Sequence, residues 1–163
     1  MIFQHTWQRV LDGSQTQARH IAGANDIPIL NAQNTIDAIV VKGAKRAKWI
    51  TGNTYSVQPK GGMKGVARIQ LMRMWREDVR QITYKDAHAE GYWASEAFLG
   101  HWAGMHDKVA SRELMRCLDD GGSGVGLDPE FDIKELRWWA KKVLPNRPAH
   151  LYTAWVLEFK VVS

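Results

Sequence analysis

The spacing of apolar positions changes twice along the chain. In the first half the runs are short and close to a period of two. "IFQH" reads as a short strand, and "HTWQRVLDG" predicts one short helix with Thr6 as N-cap, Val10 and Leu11 as apolar positions and Gly13 at its C-terminal end. "TQARHIA" predicts a strand, whereas residues 22–35 are rich in Asn, Ala and Gly without a period and read as a long loop. From Ile36, "IDAIVV", "RAKWI" and "TYSVQP" predict strands separated by "KGAK" and "TGN", and "KGGMKG" turns the chain into "VARIQLMRMW". In that last run Ala67, Ile69 and Leu71 fall on one face and Arg68, Gln70 and Met72 on the other. Short strands punctuated by Gly turns predict an antiparallel meander or small barrel, one face apolar and the other partly basic.

The middle takes up helical spacing. "TYKDAHAEG" opens on Thr83 with Asp86 three residues later, a capping box with Asp in place of Glu, and stops at Gly91. A second helix begins at Ser95 and carries Phe98, Leu99 and Trp102 on one stripe. "VASRELMRCLDD" predicts a third helix and "DIKELRWWAKKVL" a fourth, with "GGSGVG" between them. That glycine run follows a helix and lacks the Lys-Ser/Thr ending of a phosphate loop, so it reads as a connector. Alternation returns in "LYTAWVLEFKVV", where Trp155, Leu157, Phe159 and Val161 share a face; this strand is expected to close the sheet at the centre of the domain.

Size and charge narrow the picture. The 163 residues suit one domain with a real core, and 45% hydrophobic with 24% charged residues is ordinary for a soluble globular chain. Cys117 is the only cysteine, which excludes an internal disulfide and a thiol-based zinc set and fits a reducing, cytoplasmic setting. The first residues lack a basic start followed by an apolar run, so no signal peptide is expected. No apolar stretch approaches the ~20 residues of a membrane span. The net charge of +5 is unevenly spread: residues 1–81 hold 12 Lys/Arg against 5 Asp/Glu, and residues 82–163 hold 10 against 12. A basic half points to a polyanion-facing surface, or to a merely solvated basic face.

Several side chains are candidates for chemistry. Lys42, Lys45, Arg46, Lys48, Lys60, Lys64 and Arg68 are the expected phosphate contacts, with Trp49 inside "KRAKW" as the aromatic placed to stack on a base. Trp138 and Trp139 point opposite ways from one helix, so at least one is a core anchor. His101 and His106 are five residues apart, a spacing that does not suit two metal ligands on one helical face; neither metal nor cofactor is expected. Glu90, beside Gly91, Tyr92 and Trp93, is the candidate catalytic acid, since a carboxyl group among aromatics is suited to proton transfer. The turn "GSQTQARH", residues 13–20, is either an ordinary edge turn or one wall of a site bearing Gln15, Thr16, Gln17 and Arg19.

These pieces together resemble the ASCH domain family of the PUA-like superfamily. The resemblance lies in the polar turn Gly13–His20, "YSVQP" at Tyr55–Pro59, the "GxxRI" strand Gly65–Ile69, "ITYKDAHAEGY" at Ile82–Tyr92, Phe98 to Trp102, and Trp155 to Phe159. It covers most of the chain and implies an α+β fold: a single domain over 1–163, a small, mostly antiparallel β-barrel flanked by helices, with 107–147 as an added helical segment before the last strand. It also implies RNA binding or coactivator roles and, in some members, removal of the acyl group of 4-acetylcytidine or ribonuclease activity. In the amidohydrolase branch a Lys acts as base, a Thr as nucleophile and a glutamate with them. Here the glutamate is matched by Glu90, but the Lys position is Gln15 and the Thr position Ala18, and neither can play those parts. The leading expectation is therefore a nucleic-acid-binding protein, RNA before DNA, with Gln15, Thr16, Gln17, Arg19, Tyr92 and Trp93 lining a cleft for a base beside the basic surface. The alternatives are a hydrolase acting on RNA or a modified nucleoside through Glu90, with Arg19 stabilising negative charge, and a protein-interaction module.

Overall fold

The computed structural model describes residues 1–3, 6–119 and 129–162. The expected "GGSGVG" connector, and Gln4 and His5 of the expected first strand, lie outside the described residues. The chain divides into two units, one of Met1–Glu77, Ala89–Gly91 and the stretch from Ala154, the other of Asp78–His88 and Tyr92–Thr153. The expected insertion, 107–147, lies within the second unit, whose bounds are wider.

The first unit holds α1 (Trp7–Leu11), β1 (Gln17–Ile21), β2 (Asp26–Leu30), β3 (Ile36–Val41), β4 (Ala47–Ile50), β5 (Thr54–Val57), β6 (Ala67–Asp78, but for its last residue) and β7 (Thr153–Val161, but for its first). The strands expected in one meander or barrel form two antiparallel sheets: a four-stranded sheet in the order β1-β7-β6-β5, and a three-stranded sheet β2-β3-β4. Between β1 and β7 the register sets Ala18 opposite Leu157 and Arg19 opposite Val156. The core lies on one side of this sheet. Phe3, Val10, Ala18, Val57, Ile69 and Phe159 form one cluster. Ile39, Trp49, Leu71, Met74, Trp155 and Leu157 form another, joining the inner face of the three-stranded sheet to the four-stranded one.

Four local expectations change. Residues 26–30, expected in a loop, form β2, which pairs with β3. Pro28 interrupts what is otherwise an alternating strand, and the Asn-rich run after it is the hairpin turn: Asn31 Oδ1 accepts from the N–H groups of Gln33 and Thr35. Alternation in β6 shifts at Met72 and Arg73, both exposed, so that Met74 rather than Arg73 returns to the core. In β7, Trp155, Leu157 and Phe159 are buried as expected, but Val161 is exposed and Ala154 and Val156 on the opposite face are buried too. A strand buried on both faces is an inner strand, which is where β7 lies. The first expected strand is reduced to one bridge, Ile2 with Gln58.

The second unit carries α2 (Tyr84–Ala89, but for its last residue), α3 (Ser95–His106), α4 (Lys108–Asp119) and α5 (Pro129–Lys142). Thr83 caps α2 as expected: its Oγ1 accepts from the Asp86 N–H and donates to the Asp86 carboxylate. Phe98, Leu99 and Trp102 form the buried stripe of α3. A Cβ at Gly100 would lie 3.3 Å from Leu114 and 3.5 Å from Leu136, so the glycine lets α3 approach both other helices closely. Asp107 closes the unit: its carboxylate accepts from Arg147 at 2.8 and 3.0 Å, from the Tyr152 hydroxyl at 3.0 Å and from the Ala110 N–H at 3.1 Å.

Candidate functional site

The polar turn between α1 and β1 is a wall of a buried polar cluster. Gln15, Gln17 and Arg19 are buried, while Thr16 is exposed and engages through its backbone, its N–H to Ala89 O and its carbonyl from the Phe159 N–H. The contact of Thr16 with Ala89 brings the segment 89–91 against β1. Gly91 turns the chain there at φ +88°, a conformation that a side chain disfavours. Glu90 is thereby held inside the cluster. Arg19 donates from Nη1 to Glu90 Oε1 at 3.0 Å and to Gln17 Oε1 at 2.9 Å, and from Nε to Glu77 Oε1 at 2.5 Å. Burial alone lowers the pKa of a guanidinium, but the hydrogen bonds and charges of Glu77 and Glu90 outweigh it and hold Arg19 above its ordinary value. Gln15 donates from Nε2 to Gln17 O, and its buried Oε1 has no hydrogen-bond partner among the described residues.

Arg19 is hydrogen-bonded to two carboxylates of its own chain, Glu77 and Glu90. Ala18 faces the core cluster, on the opposite side of β1 from Gln17 and Arg19.

Strand alternation extends the cluster into a polar face. Gln17 and Arg19 on β1 share their side of the four-stranded sheet with Glu158 and Lys160 on β7, with Arg68, Gln70, Arg73, Trp75 and Glu77 on β6, and with Thr54 and Ser56 on β5. The groups touch in sequence. Arg73 pairs with Glu158 through two hydrogen bonds and lies 4.7 Å from the centre of the Trp75 ring. Trp75 Nε1 donates to Glu77 Oε2 at 3.1 Å, and Glu77 reaches Arg19. Arg68 and Lys160 are exposed, and Arg68 donates to Thr54. Glu77, Trp75, Arg73, Glu158 and Lys160 were not among the expected site residues. The face shift at Met72–Arg73 places 73, 75 and 77 beside 68 and 70, which simple alternation along β6 does not reveal.

The expected basic residues separate. Lys42, Lys45 and Arg46 are exposed on and beside the β3–β4 turn, and Lys60 and Lys64 are exposed in the loop before β6. Lys48 is ion-paired with Asp26 at 3.2 Å and sits 4.4 Å over the Trp49 ring. Trp49, expected to stack on a base, is only 7% exposed: it belongs to the core cluster with Ile39, Leu71 and Trp155, and Lys48 and His20 also lie against its ring.

In the second unit, Tyr92 packs edge-on against Phe98 and near His101, and Trp93 is 39% exposed. Trp139 is buried, donating to Ala110 O, and Trp138 is exposed. A pocket of 340 Å³ is lined by Asp78, Arg80, Leu99, Ala140 and Leu144, but its Arg80 is engaged by Asp78 and the carbonyls of Leu144 and Arg147. Among the described residues no group of three or more His, Cys, Asp or Glu could hold a metal ion, and no helix is long and apolar enough to cross a membrane.

No family model and no curated protein matches the chain. Among solved structures it is similar to protein EF3133 from Enterococcus faecalis V583, described under the family model DUF984, at 14% identity and a TM-score of 0.44, over 98% of this chain and 71% of that one.

Proposed function

We propose that this chain is a nucleic-acid-binding protein of the ASCH type, with a PUA-like barrel architecture, and that it binds single-stranded RNA on the polar face of its four-stranded sheet. The observation that carries this is the Arg73–Trp75 pair. A flat indole and a flat guanidinium lie against each other on a sheet face that also bears exposed Arg68 and Lys160. Unpaired bases stack on such planes, and sequence-tolerant stacking is worth about 1–3 kcal/mol per base. Arg68, Arg73 and Lys160 supply phosphate contacts. Glu77, half-buried at the inner end of the same face, can accept from the exocyclic amine of a base. Lys60 and Lys64 lie in the loop leading into β6, and the other cations of the basic half add long-range attraction.

A titration against single-stranded RNA, duplex RNA and single-stranded DNA tests this. Single-stranded RNA is expected to bind most tightly. Three phosphate contacts give a slope of log affinity against log salt of about −2. Trp75→Ala is expected to weaken binding about tenfold, with Trp75→Phe retaining most of it. Absence of binding at low salt overturns the proposal. RNA cleavage, or deacylation of an acylated cytidine, that is lost in Glu90→Gln would favour the hydrolase reading instead.

A further inference from the structure

The outer face of the three-stranded sheet is apolar where antiparallel sheets are ordinarily polar. The register sets Ile27 opposite Val40, Ile29 opposite Ala38, and Ala38 opposite Ile50, so all five share the side away from buried Ile39 and Trp49. Ile27, Ile29 and Ile50 are 44%, 46% and 37% exposed. A contiguous aliphatic face of this kind marks an interaction surface, whereas single exposed apolar residues do not. At one end of it the β3–β4 turn carries Lys42, Lys45 and Arg46, all exposed and without an ion pair among the described residues.

We propose that this face docks a partner protein through an amphipathic helix whose aliphatic stripe covers Ile27, Ile29, Val40 and Ile50 and whose carboxylates lie over Lys42, Lys45 and Arg46. Charge complementarity selects the partner: three cations without an ion pair among the described residues, beside an aliphatic face, call for acidic groups at one end of an apolar stripe. Helices commonly carry Asp and Glu in the first turn, which gives such a stripe one acidic end. A strand added at the β2 edge fits less well, because Pro28 has no N–H to offer there. Nucleic acid gains nothing from isoleucine, which has neither a ring to stack nor a group to hydrogen-bond. A bilayer prefers cations around an apolar patch and aromatic side chains at its level; here the cations sit at one end and the face is wholly aliphatic. A second copy of the chain would bring the same positive end.

The test uses the full chain and a fluorescein-labelled helical peptide of about 18 residues, with a leucine stripe and glutamates in its first turns, read by anisotropy. A counterpart with lysines for the glutamates is the control. Expected is saturable binding of the acidic peptide and binding of the lysine peptide weaker by about tenfold or more. The double variant Ile27→Thr/Ile29→Thr keeps β-branched side chains, so the strands still form, and is expected to lose acidic-peptide binding by a similar factor while retaining its affinity for single-stranded RNA. The triple variant Lys42→Glu/Lys45→Glu/Arg46→Glu is expected to reverse the preference between the peptides. Equal binding of the two peptides, or binding indifferent to both variants, overturns the proposal. So does retention on phosphatidylserine vesicles, or a dimer in sedimentation, that Ile27→Thr/Ile29→Thr abolishes, since the face would then serve a lipid surface or a second copy.

Discussion

Arg19 shows how far one residue's role depends on its neighbours. From the turn "GSQTQARH" it is a cation available to a ligand; in the fold it is the counter-charge between Glu77 and Glu90. Removing one member of such a buried set is costly because the others stay buried and charged. Arg19→Met is therefore expected to lose about 3–5 kcal/mol of stability, read as a lower urea midpoint. Arg19→Lys is expected to fall between, since an ammonium keeps the charge but cannot hold three acceptors in one plane. The tryptophan pair on α5 gives a sharper contrast. Trp139→Ala is expected to cost about 3–5 kcal/mol, emptying a core site and removing the indole hydrogen bond to Ala110 O, while Trp138→Ala stays within about 0.5 kcal/mol. Two thermal or denaturant curves suffice, and equal losses would mean that the two indoles are not divided between core and solvent.

At the scale of elements, two breaks in pattern carry the most consequence. Gly91 holds φ +88° immediately after Glu90, and an added Cβ would lie 3.0 Å from Arg9 Cδ. Gly91→Ala is expected to cost about 1–2 kcal/mol from backbone strain, most of the steric contact being relieved by movement of the flexible Arg9 side chain; a fall in melting temperature measures it. Pro28 in β2 is the other. Pro28→Val is expected to leave the fold intact but to raise concentration-dependent association, seen by light scattering, because it restores an N–H to the strand. The same breaks explain what could be read in advance. The helices of the second unit were legible from their apolar spacing, strands β1, β3 to β5, β7 and the first half of β6 from short alternating runs between turn residues, and the α2 cap because Thr83 and Asp86 meet locally. Strand β2 was hidden by Pro28, and the polar face by the shift at Met72–Arg73, which moves Trp75 and Glu77 to the side of Arg68 without any change in composition. Trp49 was misjudged because a basic neighbourhood in sequence does not reveal that Ile39 lies directly across the hairpin.

For the whole molecule, the two halves of the chain differ in how their charges are used. The basic first half sets several cations toward solvent, among them Lys42, Lys45, Arg46, Lys60 and Lys64. The second unit carries His106, Asp107 and Asp78, whose lowered pKa values tie its stability to pH. Burial, with the nearby His101, lowers the His106 pKa from its ordinary 6.5, and the His106 ring packs 4.5 Å from Trp102. Because the folded form takes up the proton less readily than the unfolded chain, stability present above pH 6.5 is lost as the pH falls through 6.5 toward the lowered value. Asp107 acts in a second, more acid window. Its burial works against the carboxylate, but hydrogen bonds from Arg147, the Ala110 N–H and Tyr152 overcome this and hold its pKa below the ordinary 3.8. Asp78, bonded to Arg80, is lowered in the same way. Their contribution is present above pH 3.8 and is lost as the pH falls below it. Melting curves between about pH 8 and pH 3 are thus expected to show two declines. His106→Gln removes the first while leaving the second, and Asp107→Asn lowers stability at neutral pH and flattens the second. A single decline that His106→Gln leaves unchanged would mean that this imidazole does not couple protonation to folding.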